Sequence, residues 1–213
     1  MNAGMPPQAG PAPRVFLVDD QPAILKALAR LLASAGFAVA PYESGQAFLA
    51  SGNAAAPGCL VLDLAMPEMD GMALQQALAG QGSVLPLIFL TGHGDIASGV
   101  RAMKHGAFDF LTKPVDGDQL VAAVRGALER NALVRTADAE RDELRHRYES
   151  LTPREREVMA LLVEGLLNKQ VAAQLGTVEK TVKVHRARVM AKMQVRSLTA
   201  LVRQADKLRG GKD

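Results

Sequence analysis

The sequence predicts an α/β domain with a five-stranded parallel sheet, followed by a small all-α domain of four helices. Short apolar runs alternate with helical patterns five times between residues 14 and 130. Such alternation is typical of a doubly wound sheet that carries helices on both faces. Beyond residue 150 the apolar residues recur at helical spacing. The formal charge is −4 over residues 1–149 and +7 over residues 150–213, which predicts that only the second domain meets nucleic acid.

The order of strands and helices is predicted from the apolar runs and from the residues that begin or end each element. Helix starts are indicated by Pro22 in a first turn and by Ser44, Asp95 and Asp116 as capping residues. The predicted strands span residues 15–18, 37–40, 59–62, 87–90 and 108–111, and the predicted helices span residues 22–35, 44–50, 72–78 and 96–105, with a last one from about 119.

Composition bounds the class of protein. Residues 1–13, rich in Pro, Gly and Ala, are expected to form a disordered leader and not a signal peptide. The single cysteine, Cys59, excludes an intramolecular disulfide, and no apolar run reaches the length of a membrane span. We therefore expect a cytoplasmic protein without a membrane partner. Its expected parts are an α/β domain at 14–130, a charged linker at 131–149 and a helical domain at 150–213.

Polar side chains follow four of the predicted strands at their carboxyl ends, which meet at one edge of a doubly wound sheet. Clustered carboxylates repel one another unless a cation lies among them, and oxygen ligands without thiols favour Mg²⁺. A carboxylate can attack phosphorus, and a lysine stabilises the transferred group. Taken alone, Asp63 could equally cap the turn that follows it. The residues at the strand ends are Asp19, Asp20, Asp63, Thr91 and Lys113.

These positions resemble the receiver domain of two-component response regulators. The resemblance covers residues 14–133 and implies a flavodoxin-like fold. Each motif alone is weak, but all of them occur in order and at suitable spacing. The motifs are Asp19-Asp20, Asp63 before MPEMDG, Thr91 in LTGHGD, and Phe110 and Lys113 in FDFLTKP.

The resemblance also implies roles for these residues. Asp63 would be the phosphoacceptor, and Asp20 and Asp63 would bind Mg²⁺ together with the backbone carbonyl of Ala65. Asp19 would assist through water or hydrogen bonds. The remaining implied roles are phosphoryl binding by Lys113 and a switch pair of Thr91 and Phe110, with plain core packing as the alternative for Phe110.

Residues 150–213 carry strong helix punctuation. A capping box opens the first predicted helix, and Asn168 is predicted to cap the second. Two short helices joined by a tight glycine turn indicate a helix-turn-helix. The net charge of the domain favours DNA binding over a basic helix that is merely solvated. The punctuation is Thr152, Pro153, Glu155 and Gly176, with the third and fourth helices at 179–193 and 197–208.

The stretches LTPREREVMALLVEGLLNKQVAAQLG and KTVKVHRARVMAKMQVRS resemble the LuxR-type helix-turn-helix, and the chain resembles FixJ-like members of the FixJ/NarL class of response regulators. The resemblance implies that the third helix enters the major groove. Val178 departs from the family's capping serine, so either Thr177 caps one residue earlier or the missing cap costs about 1 kcal/mol. Implied base contacts are Lys183, Val184 and Arg186, and implied phosphate contacts are Asn168, Lys169, Lys180, Thr181, His185 and Arg188.

We therefore expect a response regulator and not an enzyme. A sensor histidine kinase is expected to phosphorylate Asp63, whereupon the protein forms a homodimer, binds promoter DNA and activates transcription with RNA polymerase as a further partner. One alternative is a phosphorylation-independent DNA-binding regulator whose receiver is structural. Another is an Mg²⁺-dependent hydrolase, which would leave the basic domain unexplained and has no evident second catalytic base near Asp63.

Overall fold

The computed structural model describes residues 12–92 and 101–210. The chain forms two compact units, Met1–Arg135 and Thr136–Asp213. Most of the expected leader lies outside the described residues, as do Asp95 and the first half of the helix predicted at 96–105. No helix in the described parts is both long and apolar enough to span a bilayer.

The first unit is built on a five-stranded sheet whose strands are all parallel. The strand order is β2-β1-β3-β4-β5. In this doubly wound order β2 is added on one side of β1, and the later strands are added on the other side. The α/β class and the flavodoxin-like order implied by the sequence are confirmed. The strands are β1 (Arg14–Val18), β2 (Ala38–Tyr42), β3 (Gly58–Asp63), β4 (Leu87–Thr91) and β5 (Asp109–Thr112).

Two of the predicted capping residues, Ser44 and Asp116, cap helices of this unit. The Ser44 hydroxyl accepts from the Ala47 N–H, and the Asp116 carboxylate accepts from the Gln119 N–H. The last helix, however, starts at Gly117 and continues through the segment expected to be a linker. The helices are α1 (Pro22–Ser34), α2 (Gly45–Ala50), α3 (Gly71–Gly80), α4 (the helical residues 101–104) and α5 (Gly117–Glu149), with a 3₁₀ turn at Asn53–Ala55. The residues of α5 after Arg135 belong to the second unit.

Strand β2 runs through Pro41 to Tyr42 and does not end at residue 40 as predicted. Proline cannot donate a ladder hydrogen bond, but β2 lies at an edge of the sheet, where an unpaired position is tolerated. The sequence prediction stopped at the proline because the edge position of the strand was not known.

Two apolar clusters cover the two faces of the sheet. Along β1, Phe16 and Val18 point into one cluster while Val15 and Leu17 point into the other. This two-sided burial explains why the strand sequences are continuous apolar runs and do not alternate. Cys59 is fully buried in the second cluster, and burial raises the pKa of its thiol to about 12, so it packs as a small apolar residue.

Helix α5 is fastened to the sheet through Asn131, which is only 2% exposed. The Gly58 N–H donates to Asn131 Oδ1 (3.1 Å), and Asn131 Nδ2 donates to the Val84 carbonyl (3.0 Å). One amide thus satisfies two backbone groups at the amino ends of neighbouring strands. Four residues later, the Arg135 guanidinium donates to the Ala55 carbonyl.

The second unit contains four helices after the end of α5. Two apolar clusters hold them together: Val158, Val171 and Val182 lie in one, and Met159 and Val189 lie in the other. The predicted four-helix domain is confirmed. The helices are α6 (Pro153–Val163), α7 (Asn168–Gln174), α8 (Glu179–Lys192) and α9 (Leu198–Arg209).

Replacing Asn131 with alanine should lower the free energy of unfolding of the first unit by about 2 kcal/mol, because two buried backbone groups lose their partner. Urea unfolding followed through the amide signals of β1 and β3 measures this loss. Arg130→Ala changes the exposed neighbour on the same helix and should stay within about 0.5 kcal/mol of the wild type. Equal stabilities for the two variants would contradict the role given to Asn131.

Candidate functional site

The carboxyl ends of β1, β3 and β5 bring together two buried carboxylates and a lysine. Asp19 is 1% exposed and Asp63 is 5% exposed. Lys113 Nζ lies 2.8 Å from Asp19 Oδ2 and 2.9 Å from Asp63 Oδ2. These residues are far apart in sequence, so the sheet topology alone makes them neighbours. The structure therefore brings together the acidic residues and the lysine that the sequence analysis selected.

The turn after β3 fixes the position of Asp63. The Gly71 N–H donates to the Leu64 carbonyl (3.0 Å), which closes the turn onto the end of the strand. A Cβ atom on Gly71 would lie 2.7 Å from the Asp63 carbonyl oxygen, so only glycine allows this approach. Asp70 accepts from the Ala73 N–H (2.7 Å) and caps α3.

The three acidic residues fit a divalent cation. One oxygen of each of Asp19, Asp20 and Asp63 lies within 4.8 Å of the others. Asp20 Oδ1 is buried and has no hydrogen-bond partner among the described residues. A buried carboxylate oxygen without a donor is unfavourable unless a cation compensates it. The Ala65 N–H lies 3.4 Å from Asp63 Oδ1, so Ala65 borders the same cluster.

Lys113 supplies positive charge to this edge of the sheet. Burial by itself lowers the pKa of its ammonium group, but the hydrogen bonds to Asp19 and Asp63 outweigh burial. The net pKa of Lys113 lies above its usual value of 10.5, so the group is charged at neutral pH. A cis peptide joins Lys113 to Pro114.

Thr91 and Phe110 lie on the neighbouring strands β4 and β5. Thr91 is buried, and its hydroxyl donates over a long 3.3 Å distance to the Gly92 carbonyl. Phe110 is half-buried at the border of the first apolar cluster. The packing alternative raised for Phe110 therefore describes its present contacts, and a switch role requires its ring to move.

In the second unit, α7 and α8 form the helix-turn-helix, with Gly176 in the left-handed conformation between them. Val182 and Val189 bury one face of α8. The residues predicted to contact DNA divide into two groups by exposure. Lys169, Lys180, Lys183, Val184 and Arg188 are exposed, whereas Asn168, Thr181, His185 and Arg186 are half-buried.

The structure overturns one capping prediction and decides between the two alternatives left open for the other. The prediction that Asn168 caps α7 is wrong: the cap position is Leu167, whose N–H donates to Gln170 Oε1 (2.8 Å). The Asn168 side chain instead accepts a hydrogen bond from Arg186. Helix α8 begins at Glu179 with Val178 at the cap position, so Thr177 does not shift its start, and no side chain in the described part of the chain caps it.

A lysine that the sequence analysis did not select holds the far end of α8. Lys192 Nζ donates to Glu155 Oε2 (2.7 Å) and to the Ser150 carbonyl (2.9 Å). Glu155 is 2% exposed and also accepts from the Thr152 N–H, which confirms the predicted capping box. The hydrogen bond from Lys192, followed by that from Thr152, lowers the pKa of Glu155.

Comparison with known families agrees with this arrangement. Residues 15–125 match the family model of the response regulator receiver domain. Residues 149–205 match the model of the bacterial regulatory proteins of the luxR family. By its fold and its acidic edge the chain is a response regulator. More particularly, it belongs to the response regulators that join a receiver domain to a luxR-family DNA-binding domain and regulate transcription.

Several relatives match almost the whole chain. Response regulator protein TodT of Pseudomonas putida is 43% identical over 195 residues, which cover 92% of this chain and 86% of TodT. Transcriptional regulatory protein FixJ of Azorhizobium caulinodans is 44% identical over 191 residues, 90% of each chain. A solved structure of the response regulator StyR is 45% identical, with a TM-score of 0.86 over 92% of this chain and 98% of that one.

Replacing Val178 with serine should stabilise the second unit by about 1 kcal/mol. The backbone at Val178 is already extended, and a serine oxygen there could accept from a free N–H in the first turn of α8. Amide hydrogen exchange along α8 measures the change. Val178→Ala removes the same exposed side chain without adding an acceptor, and a similar gain in that variant would contradict the capping argument.

The stability of the second unit should fall with acid because of Glu155. Its pKa is lowered in the folded state, so its contribution is complete above the ordinary value of 4.5 and is lost as the pH falls through the lower folded value. Glu155→Gln should flatten this dependence below about pH 5 in urea titrations. Glu157→Gln removes an exposed carboxylate from the same helix and should leave the wild-type slope.

Proposed function

We propose that Asp63 accepts a phosphoryl group from the phosphohistidine of a sensor histidine kinase. The observation that carries the proposal is the position of Asp63, buried at the end of β3 with Lys113 Nζ 2.9 Å from its Oδ2 atom. An Asp63 carboxylate oxygen forms a bond to phosphorus while the P–N bond to the donor imidazole breaks. The product is an acyl phosphate on Asp63, and the imidazole leaves with the electron pair of the broken bond.

The residues around Asp63 are proposed to stabilise the transferred group and to bind a metal ion. Lys113 can exchange its hydrogen bond to Asp63 for one to an oxygen of the transferred group, whose spread negative charge it offsets. Mg²⁺ is proposed to be held by Asp19, Asp20, Asp63 and the carbonyl of Ala65. When bound, it would also offset the negative charge of the transferred group.

The response to phosphorylation is proposed to pass through Thr91 and Phe110. The Thr91 hydroxyl leaves its long hydrogen bond to Gly92 and donates to the phosphoryl group. The Phe110 ring then turns inward and repacks the face that includes β5. We propose that this face forms a homodimer, which binds promoter DNA and activates transcription together with RNA polymerase in the cytoplasm.

The second unit is proposed to bind DNA through α8. Residues 150–213 carry a net charge of +7, and on α8 the exposed side chains Lys183 and Val184 lie away from the buried face of Val182 and Val189. Lys183 and Val184 are assigned to base edges. The proposed phosphate contacts are Asn168, Lys169, Lys180, Thr181, His185 and Arg188.

Asp63→Asn should abolish labelling of the full chain by a radioactive acyl phosphate in Mg²⁺, because the amide cannot act as the nucleophile. Asp70→Asn is the matched control: it changes a nearby exposed acid and keeps a good capping residue for α3, so it should label like the wild type. Full labelling of Asp63→Asn would rule out this phosphoacceptor.

The same samples separate the proposal from its alternative. Wild-type protein treated with the phosphodonor should change its oligomeric state and bind DNA more tightly. If labelled protein changes neither property, the receiver is a structural module and DNA binding does not depend on phosphorylation.

A further inference from the structure

One hydrogen bond joins the two helices of the helix-turn-helix directly. Arg186, in the middle of α8, donates from Nη1 to Oδ1 of Asn168 at 3.2 Å. Asn168 is the first residue of α7, and both side chains are half-buried. The bond therefore adds a polar connection to the apolar contacts through which Val171 and Val182 pack these helices together.

The exposure of Arg186 differs from that of the neighbouring residues assigned to base edges. Lys183 and Val184 are exposed, with Val184 at 45%. An arginine that reads a guanine presents its two-pronged guanidinium to the groove edge of the base. Arg186 is partly covered and already engaged with α7, so its guanidinium is placed for a contact inside the domain.

The bond also determines which way the Asn168 amide faces. A guanidinium only donates hydrogen bonds, so Oδ1 must be the atom that meets Arg186. The Nδ2 group then remains as a donor without a hydrogen-bond partner among the residues that the structure describes. Amide donors of this kind commonly bind phosphate oxygens of DNA.

The amino ends of both helices lack the usual side-chain caps. Leu167 and Val178 occupy the two cap positions, and neither has an oxygen that could accept from a free backbone N–H. Helix α8 is held by polar contacts at its middle, through Arg186, and at its end, through Lys192. Among the residues that the structure describes, loss of the Arg186 contact would leave the amino-terminal half of α8 with apolar packing alone to set its direction.

We propose that Arg186 is a positioning residue and not a base-reading one. It holds α8 against the first turn of α7 and orients the Asn168 amide to donate to a DNA phosphate, while Lys183 and Val184 read the bases. The proposal rests on the proposed binding of promoter DNA through α8. It replaces the base contact that the family resemblance implied for Arg186.

The test begins with selection of binding sites from random DNA by the full-length wild type, in the presence of phosphodonor and Mg²⁺. Arg186→Ala and Asn168→Ala should each bind the selected site about tenfold more weakly, as expected for loss of a hydrogen bond to a charged group. Both should keep the wild-type base preference at every position. In the Arg186→Ala background, Asn168→Ala should cause no further loss.

Arg188→Ala is the matched control, because it removes the same charge from the same helix at an exposed position. Its effect should multiply with that of Asn168→Ala, since the two side chains act independently. A changed base preference in Arg186→Ala, or multiplied losses for Arg186→Ala and Asn168→Ala, would overturn the positioning role. A wild type that selects no sequence would instead overturn the proposed DNA binding.

Asn168→Asp distinguishes loss of the phosphate contact from loss of the fold. The carboxylate keeps an acceptor for Arg186, so circular dichroism should show a wild-type helix content and melting temperature. It removes the amide donor and adds a negative charge beside the DNA backbone. DNA binding should therefore weaken more than in Asn168→Ala, with base preference unchanged, and wild-type affinity in Asn168→Asp would exclude the phosphate contact.

Discussion

The contact of Lys113 with Asp19 and Asp63 is the interaction on which the functional edge of the first unit depends. Two carboxylates that are almost fully buried would repel each other at the ends of adjacent strands without a nearby cation. Lys113 directly follows β5, which is separated from β3 by β4. Its ion pairs therefore connect the carboxyl ends of β1, β3 and β5. Its raised pKa keeps it charged at neutral pH, so the charges at this edge are already in place for the proposed phosphoryl transfer.

The second unit contains a comparable pair with a different outcome. Lys192 meets the buried carboxylate of Glu155, and backbone groups of Ser150 and Thr152 complete the network. The other hydrogen bonds of Glu155 and Lys192 go to backbone groups next to the start of α6, which is typical of a structural role. In the first unit, Asp20 Oδ1 stays buried without a partner among the described residues. The unsatisfied oxygen is what distinguishes a site that can take up a cation from an ion pair that only holds the fold together.

The sequence predicted the features that local residues determine. Buried parallel strands are continuous apolar runs, and the caps at Ser44 and Thr152 each bond to a backbone N–H three residues away. The features that it missed depend on distant partners. Asn131 was placed in a charged linker because Gly58 and Val84, its partners, are 73 and 47 residues away in sequence.

The predicted cap at Asn168 failed for the same reason. Asparagine is a strong capping residue in isolation, but here its side-chain oxygen is taken by Arg186, 18 residues later. The lysine and acids of the first unit were found in spite of their separation, because parallel topology forces the carboxyl ends of strands to one edge. Long-range contacts were therefore predictable where topology dictated them, and not where individual side chains selected their partners.

The geometry around Thr91 indicates how little free energy the proposed switch requires. Its hydrogen bond to Gly92 is 3.3 Å long, at the weak end for a hydroxyl donor, so breaking it costs less than the roughly 1 kcal/mol of a well-formed bond. Phe110 lies at the border of its cluster, whereas Phe89, its partner in the β4–β5 ladder, is fully buried. In the proposed switch the β4–β5 ladder would hold both backbones in register while the Thr91 and Phe110 side chains move. The proposed phosphorylation of Asp63 would thus change the surface at the outer strand β5 while the buried core around Phe89 stays in place.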